Sequence, residues 1–128
     1  MKRYSSKALS ISITKAFIDS SKSDSQTHDG ILLLTAFGIV YGKFHEFSKS
    51  DTTTSVADIL YKTKSEYRDT LESKDVEIFN DGSSVTLNDA VVKYSSGITL
   101  NMKEIIIFCD QIIGYYPVDL KTFEQSYD

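Results

Sequence analysis

The chain has 128 residues, 41% hydrophobic and 25% charged, which is the composition of one globular domain with enough apolar mass for a single core. One proline and six glycines exclude a linker-like or disordered polymer. A net charge of −4 excludes general affinity for nucleic acid or for an anionic membrane.

The charge is unevenly placed. Residues 1–22 carry Lys2, Arg3, Lys7, Lys15 and Lys22 against Asp19, a net +4, and the remainder carries −8. A basic arm on an acidic body suits either a solvated terminus or a contact to nucleic acid. Cys109 is the only cysteine, so no intrachain disulfide forms, in keeping with a reducing compartment. No apolar run reaches membrane-spanning length. Polar residues follow Lys2 and Arg3, and Lys7 and Lys15 interrupt any leader-like stretch. The expectation is a single cytoplasmic domain over residues 1–128.

In chain order, residues 5–20 fit two patterns. Leu9, Ile11 and Ile13 alternate as in a strand, whereas Leu9, Ile13, Ala16 and Phe17 share one helical face. Ala8, Lys15 and Ala16 are good helix formers, which favours the helix. The polar run 20–30, ending in Asp29-Gly30, reads as a loop. Ile31 to Leu34 reads as a strand with both faces covered. Ala36-Phe37-Gly38 supplies a turn into a second strand, Ile39 to Phe47, whose internal Gly42 permits a sharp bend.

Ser55 and Asp58 are spaced as a helix-capping pair. Val56, Ile59, Leu60, Thr63, Tyr67 and Leu71 then follow at helical spacing, giving a helix near 55–72 that would pack on the sheet or cap its end. Val76 to Phe79 reads as a short strand before an Asn80-Asp81-Gly82 hairpin signal. In Ser84 to Tyr94, Val85 and Leu87 share one parity while Ala90, Val92 and Tyr94 share the other. A one-residue slip near Asn88-Asp89 therefore implies a bulge. Ser95-Ser96-Gly97 turns the chain, Ile98, Leu100 and Met102 alternate, and two apolar runs within 104–117 flank Cys109-Asp110 as the two closing strands. The tail beyond Pro117 is short and open to a helical reading.

Candidate chemistry is sparse. His28 lies in a polar loop, and His45 has Glu46 beside it but no partners at metal-ligand spacing. Cys109 needs a nearby cation to become a nucleophile, and Asp110 works against that, so it reads as a half-buried thiol at a strand end. Asp89 and Asp110 lie nearest the suspected barrel ends, without a spacing that brings them together for acid–base work. No phosphate-binding glycine loop or other cofactor motif is present. No catalytic residue is assigned. Tyr41, Tyr94, Tyr115 and Tyr116 fall on predicted strands, where aromatic rings serve cores, interfaces or base stacking.

Three segments resemble the Sm-like fold of RNA-associated small β-barrels. Phe37-Gly38-Ile39-Val40-Tyr41-Gly42-Lys43-Phe44 is similar to its first motif, Val85-Thr86-Leu87-Asn88-Asp89-Ala90-Val91 looks like its third strand, and Ile105 to Tyr116 looks like its last two strands. Together they cover about a third of the chain. The resemblance implies a mostly β, α+β fold: a small, strongly bent five-stranded barrel behind an N-terminal helix, here with an inserted helix near 55–72. It does not extend to the family's RNA pocket. The Arg-Gly pair between the last two strands is replaced by Cys109-Asp110, and Asp81-Gly82-Ser83-Ser84 offers no Asn directly before Val85.

The sequence thus points to a non-enzymatic module acting by self-association through Ile106, Phe108, Ile112, Tyr115 or Tyr116. The alternative partner is RNA, bound by Lys2, Arg3 and Lys7 with Tyr41 or Tyr94 stacking bases. No cofactor, metal, membrane or small-molecule ligand is expected.

Overall fold

The computed structural model of the chain describes residues 6–20, 28–48, 54–74 and 83–127. The expected strand at 76–79 and the hairpin at 80–82 lie outside them. Two compact units emerge: Met1–His45 with Gly82–Asp128, and Glu46–Asp81.

The first unit begins with α1, Ser6–Ser20. The helical reading of this ambiguous stretch is the one adopted, because Ile11 and Ile18, two turns apart, are both buried and Ala8 packs against the core. Thr14 Oγ1 donates to the Ser10 carbonyl at 3.0 Å, and Ser20 Oγ to that of Phe17 at 2.9 Å. The face carrying Leu9, Ile13 and Phe17 is exposed, so the helix packs by its thinner apolar side.

Five antiparallel strands follow in the order β4-β3-β2-β1-β5. Strand β1, Gly30–Thr35, and β2, Gly38–Phe44, form a hairpin around Ala36-Phe37. Strand β2 ends three residues before the expected Phe47, because the chain leaves the sheet at His45 for the second unit. Leu34 is exposed, so β1 is covered on one face along its whole length and on the other only in part. Strand β3, Ser84–Tyr94, turns at Ser95-Ser96-Gly97 into β4, Thr99–Phe108. A short 3₁₀ turn at Cys109–Gln111 leads into β5, Ile112–Val118, which returns to pair with β1.

The bend expected at Gly42 and Asn88-Asp89 is one event seen from two strands. The β2–β3 register shifts between Tyr41 and Lys43, whose partners are Val91 and Asn88. Asp89, the extra residue, takes φ 49°, the left-handed conformation that Asp tolerates better than most. Across from it, a Cβ on Gly42 would lie 2.9 Å from the Asn88 carbonyl oxygen and 3.1 Å from Ala90 Cα. Only glycine lets the two strands approach so closely. The slip brings both parities of β3 to the core: Leu87 and Val85 before it, Ala90 and Val92 after it. With Ile31, Leu33, Val40 and Ile107 they form the main apolar cluster, each full side chain contributing about 1.5–3 kcal/mol of burial.

The tail is helical. Helix α3, Leu120–Tyr127, begins with the Leu120 amide donating to Asp29 Oδ1 at 2.9 Å. That side chain, from the loop before β1, accepts at the first turn beside Asp119, whose carbonyl accepts from the Phe123 amide at 2.8 Å and whose carboxylate accepts from Thr122 Oγ1 at 3.0 Å. Leu120 is buried, and the Phe123 ring meets Tyr41 edge-on at 4.9 Å.

The second unit holds α2, Val56–Ser73. Ser55 Oγ accepts from the Asp58 amide at 3.3 Å, the expected cap. Asp58 Oδ1 accepts from the Ser48 amide at 3.2 Å, and the rings of Phe47 and Tyr61 lie 5.1 Å apart. Most of the helix surface is exposed, including Val56, Ile59, Leu60, Tyr61 and Tyr67.

Candidate association surface

The strand order makes β4 and β5 the two edges of the sheet, each with one sheet neighbour among the described residues. An edge strand carries a row of backbone donors and acceptors facing outward, ready to pair with another chain. Charge, proline or a covering element would blunt such an edge. Here β5 has Pro117, which removes one donor, and β4 carries Lys103 and Glu104 at its middle; the rest of both edges is rich in apolar side chains.

The pairing register places those side chains. Residues directly opposite one another share a face of the sheet. Leu100 pairs with Val92 and Met102 with Ala90, and both partners belong to the core cluster. Tyr115 pairs with Leu33, which is fully buried. Leu100, Met102 and Tyr115 therefore lie on the core side of the sheet, yet all three are exposed. The apolar layer runs out to both edges without being closed off. On the opposite side, Tyr116 is 66% exposed; Phe108 at the end of β4 is 55% exposed and Ile113 at the start of β5 is 74% exposed. A recess of about 360 Å³ adjoins the β5 edge, lined by Lys7, Ser10 and Ile11 of α1 and by Ile112, Ile113 and Tyr115.

Of the interface candidates, Ile106, Phe108, Tyr115 and Tyr116 are exposed along the two edges. Ile112 is not: at 3% exposure it is a core residue, turned inward where the 3₁₀ turn enters β5, and it leaves the set. Leu100, Met102 and Ile113 join it. Their alternating pattern was visible in the sequence, but which strands form the edges is a property of the strand order.

The RNA candidates are scattered. Lys2 and Arg3 lie outside the described residues. Lys7 is exposed on α1. Tyr94, at the end of β3, is partly exposed and packs beside Phe37 at 5.8 Å. Tyr41 is 4% exposed beneath Phe123, so its ring has no face left for a base.

The remaining reactive side chains stand apart. Cys109 is fully buried in the core cluster, deeper than the half-buried position expected. Asp110 is exposed in the 3₁₀ turn and Asp89 in the β3 bulge. His45 is buried, with Nδ1 2.9 Å from Asn88 Oδ1; an amide oxygen only accepts, so the imidazole donates there. Among the described residues no three His, Cys, Asp or Glu side chains converge as a metal site would require. No helix among them is long and apolar enough to cross a membrane.

No protein-family model matches the chain, and no curated protein does. Solved structures do. An Sm protein of Pyrococcus abyssii in complex with a uridine heptamer is similar at 12% identity and a TM-score of 0.41, over 80% of this chain and 94% of that one. The P. aerophilum SmAP1 heptamer is similar at 10% identity and a TM-score of 0.40, over 80% and 89%. A heptameric archaeal Sm protein is similar at 10% identity and a TM-score of 0.40, over 80% and 97%. This chain itself forms an N-terminal helix followed by five antiparallel strands in the order β4-β3-β2-β1-β5.

Proposed function

We propose that this chain is a non-enzymatic assembly module that joins copies of itself through the β4 and β5 edges of its sheet. The observation that carries this reading is the uncovered apolar layer at both edges: Leu100, Met102 and Phe108 on β4, Ile113, Tyr115 and Tyr116 on β5. Pairing β4 of one copy with β5 of the next supplies backbone hydrogen bonds to both and covers these side chains together. The two edges are different strands, so the contact is head-to-tail. It closes into a ring if the rotation per copy divides a full turn, and grows into a filament if it does not.

Size-exclusion chromatography with light scattering tests the proposal. The wild-type chain is expected to run as a multimer, and Tyr116→Asp, a change at an exposed position, to reduce it to the single-chain mass of 14.4 kDa. A wild-type monomer, or an assembly indifferent to Tyr116→Asp, overturns it.

RNA binding is the second reading, supported by the +4 charge of residues 1–22 and by the exposed Lys7 and Tyr94. The chain has no tryptophan, so bound RNA stands out in the ratio of ultraviolet absorbances across the same peak. Phosphate-driven binding weakens steeply with salt, and a peak free of nucleic acid at low salt rules it out.

A further inference from the structure

Both edge strands break their alternation once. On β4, Leu100 and Met102 lie opposite Val92 and Ala90, and Ile105 and Ile107 lie opposite Leu87 and Val85. All four partners belong to the core cluster. Met102 and Ile105 therefore both face the core although they are three residues apart, because β3 carries the Asp89 bulge between Leu87 and Ala90. On β5, Tyr115 and Pro117 lie opposite the buried Leu33 and Ile31. Ile112, opposite Thr35, is itself in the core cluster. Ile112 and Tyr115 are again three residues apart on the core side, with the β1–β5 register shift between them. Each edge thus has a two-residue gap in its core-side row: Lys103-Glu104 on β4 and Ile113-Gly114 on β5.

We infer that the two gaps meet, so that β4 of one copy pairs with β5 of the next in the single register that sets Met102 opposite Tyr115. This rests on the edge-to-edge reading above and fixes which residues touch. The partner is a second copy because β4 and β5 of one chain are the opposite edges of one sheet, within one compact unit. Directly opposite residues share a face, and a one-residue slip turns an apolar row outward. Of the antiparallel registers that pair all seven residues of β5 within the ten of β4, only this one matches every core-side residue. It sets Leu100 opposite Pro117, Met102 opposite Tyr115 and Ile105 opposite Ile112. The two charged residues of β4 then fall on the β5 gap, and Lys103 stands opposite Gly114, which has no side chain to displace. Met102 and Ile105 arrive beside Tyr115 and Ile112, which with Ile11 of α1 line the recess of about 360 Å³. Methionine is a flexible filler of such irregular space.

Disulfide scanning of the full-length chain tests the register. Directly opposite Cβ atoms lie about 4.5–5.5 Å apart and diagonal ones about 7–8 Å, whereas a disulfide needs about 3.5–4.5 Å. Thr99→Cys combined with Val118→Cys in one chain is expected to oxidise into a covalent ladder on a non-reducing gel. Either substitution alone gives none, and wild type, whose one thiol is buried, sets the background. Leu100→Cys with Pro117→Cys repeats the test one residue along, because neighbouring pairs of an antiparallel ladder alternate between wide and narrow spacing; at least one of the two pairs links. Val118→Cys with Asn101→Cys or with Glu104→Cys reports registers displaced by two or five residues and is expected to link more slowly. Tyr116→Asp added to the linking pair abolishes ladder and multimer together. Faster linking of a displaced pair overturns the register and leaves the edge reading standing. A ladder that persists with Tyr116→Asp marks chance collision of exposed thiols and overturns the register. A multimer that links at none of these pairs, or single chains by light scattering under reducing conditions, overturns the register and the edge reading alike.

Discussion

At the scale of single residues, two positions set the bend that the rest of the sheet follows. Gly42→Ala places a Cβ within 2.9 Å of the Asn88 carbonyl oxygen, a backbone atom that cannot swing away. The expected loss is about 1–3 kcal/mol, measured as a lower urea midpoint with an unchanged slope. Asp89→Ala asks an alanine to hold φ 49° and is expected to cost about 1–2 kcal/mol; Asp89→Asn, which tolerates that conformation, should unfold close to wild type. Both positions were legible in the sequence, one as a glycine inside a strand and the other as a change of apolar parity. Tyr41 was not. Period-two alternation says which side of the sheet a residue faces, not whether a later helix covers that side, and Phe123 arrives from the far end of the chain. Ile112 failed for a related reason. The 3₁₀ turn at Cys109–Gln111 re-aims the chain, and Ile112 enters β5 facing the core.

Among the elements, helices were found more easily than their packing. The helix at 55–72 was announced by its cap and its spacing, and α2 occupies Val56–Ser73. The same spacing draws one apolar stripe along α2 through Val56, Ile59, Leu60, Thr63 and Tyr67. In α1 the sequence offered a strand alternation and a helical face. The helix forms, but its second, weaker apolar side enters the core. Helical periodicity detects amphipathic character; it does not identify which of two apolar sides has a partner in the same chain. Helix α3 depends on a contact no local pattern reveals, the Asp29 carboxylate at its first turn. Asp29→Ala removes that acceptor and is expected to cost about 0.5–2 kcal/mol. Because Phe123 covers Tyr41 from α3, the loss should appear first as a change in the near-ultraviolet dichroism of tyrosine, ahead of the global transition. A near-ultraviolet spectrum that stays native until the far-ultraviolet signal melts would contradict it.

For the whole molecule, the strand order matters more than any motif. It decides that β4 and β5 are edges, and so that an apolar side chain such as Met102, which would be interior in a closed sheet, is a surface residue here. The three segments that resemble Sm-like proteins anticipated the bent sheet and its N-terminal helix. Strand pairing between distant segments, which makes the edges, is not written in any one of them. If both edges drive assembly, high salt should leave the multimer intact, because burial of apolar area is not screened. Light scattering across a salt series checks this: dissociation into single chains at high salt argues against apolar edges as the main cohesive surface.

That the two edges are unlike has a consequence for dosage. If the edges join copies as proposed, every copy is a link with one socket and one plug, and a copy spoiled on β5 alone still accepts a neighbour on β4. Mixed into wild type, such copies join and stop further joining, as terminators do in a polymer, so a minority of them shortens or opens every assembly they enter. A two-fold interface would behave differently, with spoiled copies merely staying out.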